Sequence, residues 1–133
     1  DTIAESNLEN IVLQTGPVNT EDYTKKHPEW KVINYTPKFH ELLAGAQIVV
    51  THFGSTVLEA LVYRKPMVIV PNPEWTRTVG AEDAKYLAKK VNAEMVSEVT
   101  LGNLLRAIEE EKKRSFPILE DGSAALAELI LKL

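Results

Sequence analysis

Ile48-Val-Val-Thr-His52-Phe-Gly54-Ser55-Thr56-Val-Leu-Glu59-Ala-Leu61 is the stretch that decides the fold class of this chain. Ile48, Val49, Val50 and Thr51 are four consecutive β-favouring positions, and such a run reads as a central strand of a parallel sheet. Gly54, Ser55 and Thr56 form a small-residue loop that lets the backbone approach a ligand at the N-terminus of the next helix. The free N–H groups and the dipole at that helix end favour an anion. Glu59 lies about one turn further on, within reach of a ribose attached to a bound diphosphate.

Outward from this stretch, β and α signals alternate with short connections, the pattern of a parallel α/β sheet. Asp1 to Asn7 reads as the end of a helix, and Ile11-Val-Leu-Gln14 as a strand closed by Gly16-Pro17. A chain opening inside a helix suggests that an edge or central strand lies outside it. Residues 18 to 29 are polar, a loop or short helix, followed by a strand at Lys31-Val-Ile33 and a turn at Asn34-Tyr35-Thr36-Pro37. Phe39, Leu42 and Leu43 recur at helical spacing before Gly45, where a left-handed cap is expected. After the opening strand, a helix over 56–63 leads through Arg64-Lys65-Pro66 to an apolar strand, Met67-Val-Ile-Val70. A long loop, Pro71 to Gly80, precedes an amphipathic helix carrying Ala84, Leu87, Ala88 and Val91, then an edge strand at Ala93-Glu-Met-Val96. Two more helices are expected near 100–113 and 123–133.

Composition sets the outer bounds. With 133 residues, 44% of them hydrophobic, the chain suits one globular domain over 1–133. A net charge of -4 gives no basic field for nucleic acid, and no apolar run approaches the ~20 residues that span a bilayer. Any membrane contact is then peripheral or through a partner. The absence of cysteine excludes disulfides and thiolate chemistry, and with no signal peptide visible it fits the cytoplasm. Three scattered His without ligand-spaced carboxylates argue against a protein-built metal site. His27 and His40 read as surface or helix residues.

Three motifs in order carry a family resemblance: Thr51-His52-Phe-Gly54-Ser55-Thr56-Val-Leu-Glu59-Ala60, then Lys65-Pro66-Met-Val-Ile-Val-Pro71, then Asp83-Ala84-Lys-Tyr-Leu87. Together, from about Ile11 to Val96, they resemble the C-terminal, donor-binding half of GT-B glycosyltransferases, of the MurG and Alg13-like type. This resemblance implies a Rossmann-like parallel sheet with helices on both faces, lacking its first strand. It implies a UDP-sugar as co-substrate, no further cofactor, and an acceptor-binding N-terminal domain or subunit that holds the catalytic base. Catalytic residues in this chain are therefore left unassigned, and peripheral membrane contact is expected through the partner.

Position by position, the resemblance puts Tyr35 and Thr36 at the uracil ring, Gly54, Ser55 and Thr56 at the diphosphate, and Glu59 at the ribose hydroxyls. Each has a plainer reading: a turn with Tyr35 partly buried, Ser or Thr as a helix N-cap, and a dipole-favoured surface Glu. His52 stands where Alg13-like chains place a His near the diphosphate, though a His at a strand end can be structural. Glu74, Arg77, Thr78 and Asp83 are the polar groups expected at sugar or phosphate, against simple solvent exposure, while Trp75 fits a domain contact as well as a ligand. The pattern departs from relatives in two ways. His52 to Glu59 spans seven residues where many relatives have eight, and the Glu/Asp-Gln pair that reads the donor sugar is missing, with Asp83-Ala84 in place of Asn-Ala.

Two functions of different classes follow. One is the donor half of an enzyme that transfers a sugar, plausibly GlcNAc, from a UDP-sugar to a lipid-linked or glycan acceptor. The other is a nucleotide-sugar-binding or interaction module without transferase activity on its own. A dinucleotide-binding Rossmann domain lacks its Gly-x-Gly-x-x-Gly. Glu109-Glu-Glu-Lys-Lys-Arg114 reads as a solvated helix end, and Leu126, Leu129, Ile130 and Leu133 as a stripe of either core or domain interface, with core preferred.

Overall fold

The core is organised around a three-residue strand that is buried on both faces. Residues 2–72, 81–114 and 122–132 are described by a computed structural model. A 3-10 turn, Thr2–Glu5, precedes β1 (Val12–Gln14), α1 (Tyr23–Lys26), β2 (Lys31–Ile33), α2 (Phe39–Gly45) and β3 (Val49–Thr51). Then come α3 (Ser55–Val62), β4 (Met67–Ile69), α4 (Ala81–Val91), β5 (Glu94–Met95), α5 (Leu101–Lys112) and α6 (Gly122–Leu131). All pairing is parallel, in two sheets, β1-β2 and β3-β4-β5.

Strand periodicity sorts β4 between two layers. Met67 and Ile69 pack with Leu43 of α2, Val57, Ala60 and Leu61 of α3, and Ala88 and Val91 of α4. Val68 packs on the opposite face with Val96 and with Leu104, Ala107 and Ile108 of α5. This is the helix-on-both-faces α/β architecture that the alternating signals predict, and the elements fall within a residue or two of their expected bounds.

Five expectations change. β3, expected as a central strand, pairs only with β4 among the described residues and leaves Val50 37% exposed, and the strand buried on both faces is β4. Gly45 makes no left-handed cap: α2 runs through it into extended Ala46, and the Lys65 ammonium donates to the Ala44 carbonyl at 2.7 Å. The left-handed residues after helices are instead Arg64 and Asn92, each letting the next N–H reach back five residues, Lys65 to Ala60 and Ala93 to Ala88. The last helix is not core at its stripe, since Leu126, Leu129 and Ile130 are all more than half exposed and Leu133 lies outside the described residues.

The fourth concerns the charged run at the end of α5. Glu109 and Glu110 are solvated and pair with Lys112 and Lys113, but Glu111 is only 2% exposed. Its carboxylate accepts from the Met67 N–H at 3.3 Å and the Glu94 N–H at 2.6 Å, bridging the starts of β4 and β5. Arg114 pairs with both Glu94 and Glu111. Burial nevertheless pushes the Glu111 carboxyl above the ordinary glutamate value, with the two N–H donors and Arg114 opposing it. His27 is likewise not a plain surface residue: its ring stacks on Trp30 at 4.0 Å between centroids and its Nε2 is buried.

Candidate functional site

The strand–loop–helix at 48–61 is built as its sequence implies, with one difference at the helix start. β3 delivers Thr51 and His52 to its C-terminal end, and α3 begins at Ser55 with Gly54 as the N-cap. Gly54 has no side chain, so no side-chain oxygen caps α3, and the reading of Ser55 or Thr56 as the cap does not hold. The Val57 N–H turns back to the Gly54 carbonyl at 3.1 Å, while the first turn of the helix faces outward through exposed Ser55. Such a helix start offers donors and a positive dipole end to an anion.

Neither backbone nor packing explains the glycine. Its φ of 172° is extended and open to any residue. An added Cβ would meet nothing closer than the His52 ring, 3.7 Å away at Nε2, which is ordinary contact. What glycine gives here is a half-buried backbone without a Cβ, next to the His52 ring. His52 is exposed and lies over this same backbone.

Glu59 stands four residues after Ser55, so both project from one face of α3, opposite the buried Val57, Ala60 and Leu61. Both are exposed. The loop 54–56, His52 and Glu59 therefore form one contiguous group. Tyr35 and Thr36 follow the C-terminal end of β2, in the other sheet. Tyr35 is 69% exposed, not the partly buried turn aromatic of its plainer reading. Thr36 Oγ1 accepts from the Lys38 N–H at 3.1 Å, which shapes the turn into α2. Asp83 is exposed in the first turn of α4, one residue before the buried Ala84. Glu74, Trp75, Arg77 and Thr78 lie outside the described residues. Among the described residues no three acidic or His side chains gather as a metal site, and no helix is long and apolar enough to cross a membrane.

A parallel α/β sheet with a helix start lacking a side-chain cap at a strand's C-terminal end defines a class, the α/β folds that seat ligands beyond the carboxyl ends of their strands. The model of the glycosyltransferase family 28 C-terminal domain matches residues 2–128, and the chain belongs to that family. A solved structure described as a crystal structure analysis of the glycotransferase of kitacinnamycin is similar at 26% identity and a TM-score of 0.62. The match covers 79% of this chain and 27% of that one, so the chain spans about a quarter of that protein's length. No curated protein matches the chain.

Proposed function

We propose that this chain is the donor-binding half of a glycosyltransferase that takes a UDP-sugar, UDP-GlcNAc being the one favoured here, and passes the sugar to a lipid-linked or glycan acceptor. The observation that carries this reading is the side-chain-free start of α3 at Gly54, with Glu59 exposed one turn along the same helix. The diphosphate sits at the Ser55 and Thr56 N–H groups and hydroxyls. The Glu59 carboxylate accepts from the ribose hydroxyls, and exposed Tyr35 stacks against or flanks the uracil ring. His52, beside the Gly54 backbone, donates to a diphosphate oxygen.

Chemically, this half binds and stabilises the leaving group. As the bond from the anomeric carbon to the diphosphate breaks, negative charge grows on the phosphate oxygens, and the start of α3 is pre-aimed at it. Glu74, Arg77, Thr78 and Asp83 are assigned to sugar or phosphate contact on the family resemblance. The acceptor and the base that deprotonates it belong to a second domain or subunit, which also carries any peripheral membrane contact, at the cytoplasmic face. Residues 1–133 act as a single donor-binding domain and are inactive alone.

Calorimetric titration with UDP, UDP-GlcNAc, UDP-glucose and dTDP-sugars tests the pocket. UDP binding that disappears in Glu59→Ala is the expected result, and no binding of any of these nucleotides refutes the reading. A radiolabelled transfer assay with and without the acceptor-binding partner separates an enzyme half from a binding module.

A further inference from the structure

α3 and α4 carry a cationic, partly apolar face that the nucleotide site does not use. Both helices bury one side over Met67 and Ile69, through Ala60 and Leu61 of α3 and Ala88 and Val91 of α4. They join β3 to β4 and β4 to β5, so they lie side by side on the sheet, and each runs against the direction of the strands. Their C-terminal ends therefore meet at the edge where β4 and β5 begin. Gly54 and the start of α3 lie at the other edge.

Arg64, Lys85, Lys89 and Lys90 are exposed toward these ends, and none of the four pairs with a carboxylate among the described residues. Elsewhere most cations are paired, as Lys26 is with Glu21 and Lys112 with Glu109. The helix dipole accounts for Lys89 and Lys90 in the last turn of α4, but Lys85 stands a turn earlier and faces Lys89 four residues on, a like-charge pair that weakens a helix. Apolar groups are interleaved with these charges. Tyr86 is 65% and Val62 70% exposed, Leu58 is exposed one turn before Val62, and the Lys90 ammonium lies 5.6 Å from the centre of the Tyr86 ring. Neither the repelling lysines nor the bare apolar side chains help the chain to fold.

We propose that this face docks on an anionic membrane surface, a lipid contact of this chain's own beyond the one assigned to the second domain. Lysine suits such a partner, because a compact charge on a flexible stem follows mobile headgroup phosphates, whereas fixed carboxylates favour the arginine fork. Tyr86, Val62 and Leu58 enter the boundary between headgroups and acyl chains, and the lysine stems reach back from it to the phosphates. Four cations on and beside an amphipathic helix match the smallest clusters that read as anionic-lipid binding. The net charge of -4 makes the contact directional, since only the cationic end is drawn in, and exposed Glu59 and Glu82 lie toward the other edge. No residue of the face is assigned to the donor, so the docking stands or falls apart from the nucleotide site.

Flotation of residues 1–133 with lipid vesicles tests the docking. Binding to vesicles of phosphatidylcholine and phosphatidylglycerol in roughly a 3:1 ratio, weakening as salt rises, and no binding to pure phosphatidylcholine are the expected results. Lys85→Gln combined with Lys89→Gln and Lys90→Gln lowers the affinity about 100-fold, roughly fivefold for each charge removed near the surface. Lys25→Gln combined with Lys26→Gln and Lys38→Gln removes the same charge elsewhere and lowers it by less than about threefold. All six positions are exposed, and the melting temperature checks that both variants fold. Tyr86→Ser weakens binding severalfold without a change in melting temperature. Equal losses in the two triple variants overturn the proposal, as do equal binding to neutral vesicles, no binding to either kind, or a Lys85, Lys89 and Lys90 variant that binds like the native chain. Binding of polyglutamate or RNA through the same lysines without vesicle binding overturns it too, and marks an acidic macromolecule as the occupant.

Discussion

Replacing Glu111 with alanine removes one side chain from the end of α5 and, with it, the acceptor for two strands. The carboxylate is 2% exposed and takes the Met67 and Glu94 N–H groups at 3.3 and 2.6 Å. Each donor left buried without a partner costs about 1–3 kcal/mol. Removing a carboxylate whose burial opposes its ionisation gives part of that back, so the expected net loss is about 2–4 kcal/mol, a large share of the ~5–15 kcal/mol of a whole domain. Urea unfolding measures it as a shift in midpoint at unchanged slope. Glu111→Gln keeps the shape and one acceptor, turns an NH2 toward the second donor, and falls between alanine and the native residue. The pH dependence has a fixed sign. Because the folded carboxyl value is raised, its contribution is fully present below the unfolded value of about 4.3 and is lost as pH rises through the folded value. The native advantage over Glu111→Gln is therefore greatest in acid and narrows toward neutrality. An alanine variant within about 0.5 kcal/mol of native would refute the bridging role, since that is the scatter of surface substitutions.

Glu59→Ala is expected to weaken UDP binding at least tenfold, as two hydrogen bonds to a charged acceptor contribute about 1.5–3 kcal/mol each. Its melting temperature should not move, because the side chain is exposed. Gly54→Ala separates fold from ligand: with φ at 172° and only ordinary contact at His52, stability should change by about 0.5 kcal/mol or less, while UDP affinity falls in calorimetry. Ile69→Ala should cost about 2–5 kcal/mol in urea unfolding, since its side chain is fully buried between α3, α4 and β4 neighbours.

Most elements were legible because apolar period and turn chemistry agree. Met67-Val-Ile is buried at every position, as a short unbroken apolar run implies, and α4 buries Ala84, Ala88 and Val91 at helical spacing. Glu111 was missed by reading Glu109 to Arg114 as one charged run. The signal was present in phase: Leu104, Ala107, Ile108 and position 111 fall on one stripe of α5, and the stripe does not end where the hydrophobic residues do. That β3 pairs only with β4 among the described residues was not legible, because strand order is decided by contacts distant in sequence. For the site, the strand–loop–helix and the shared face of Ser55 and Glu59 followed from spacing alone. Which residue caps α3 did not, since Gly54, Ser55 and Thr56 all suit an N-cap and tertiary placement chose among them.

The choice of Gly54 has a thermodynamic consequence for α3. Gly54 offers no side-chain acceptor to the first N–H groups of α3, and an anion seated there would serve them in place of one. Nucleotide occupancy then enters the folding free energy by mass action, about 2.7 kcal/mol when the ligand stands at a hundred times its dissociation constant.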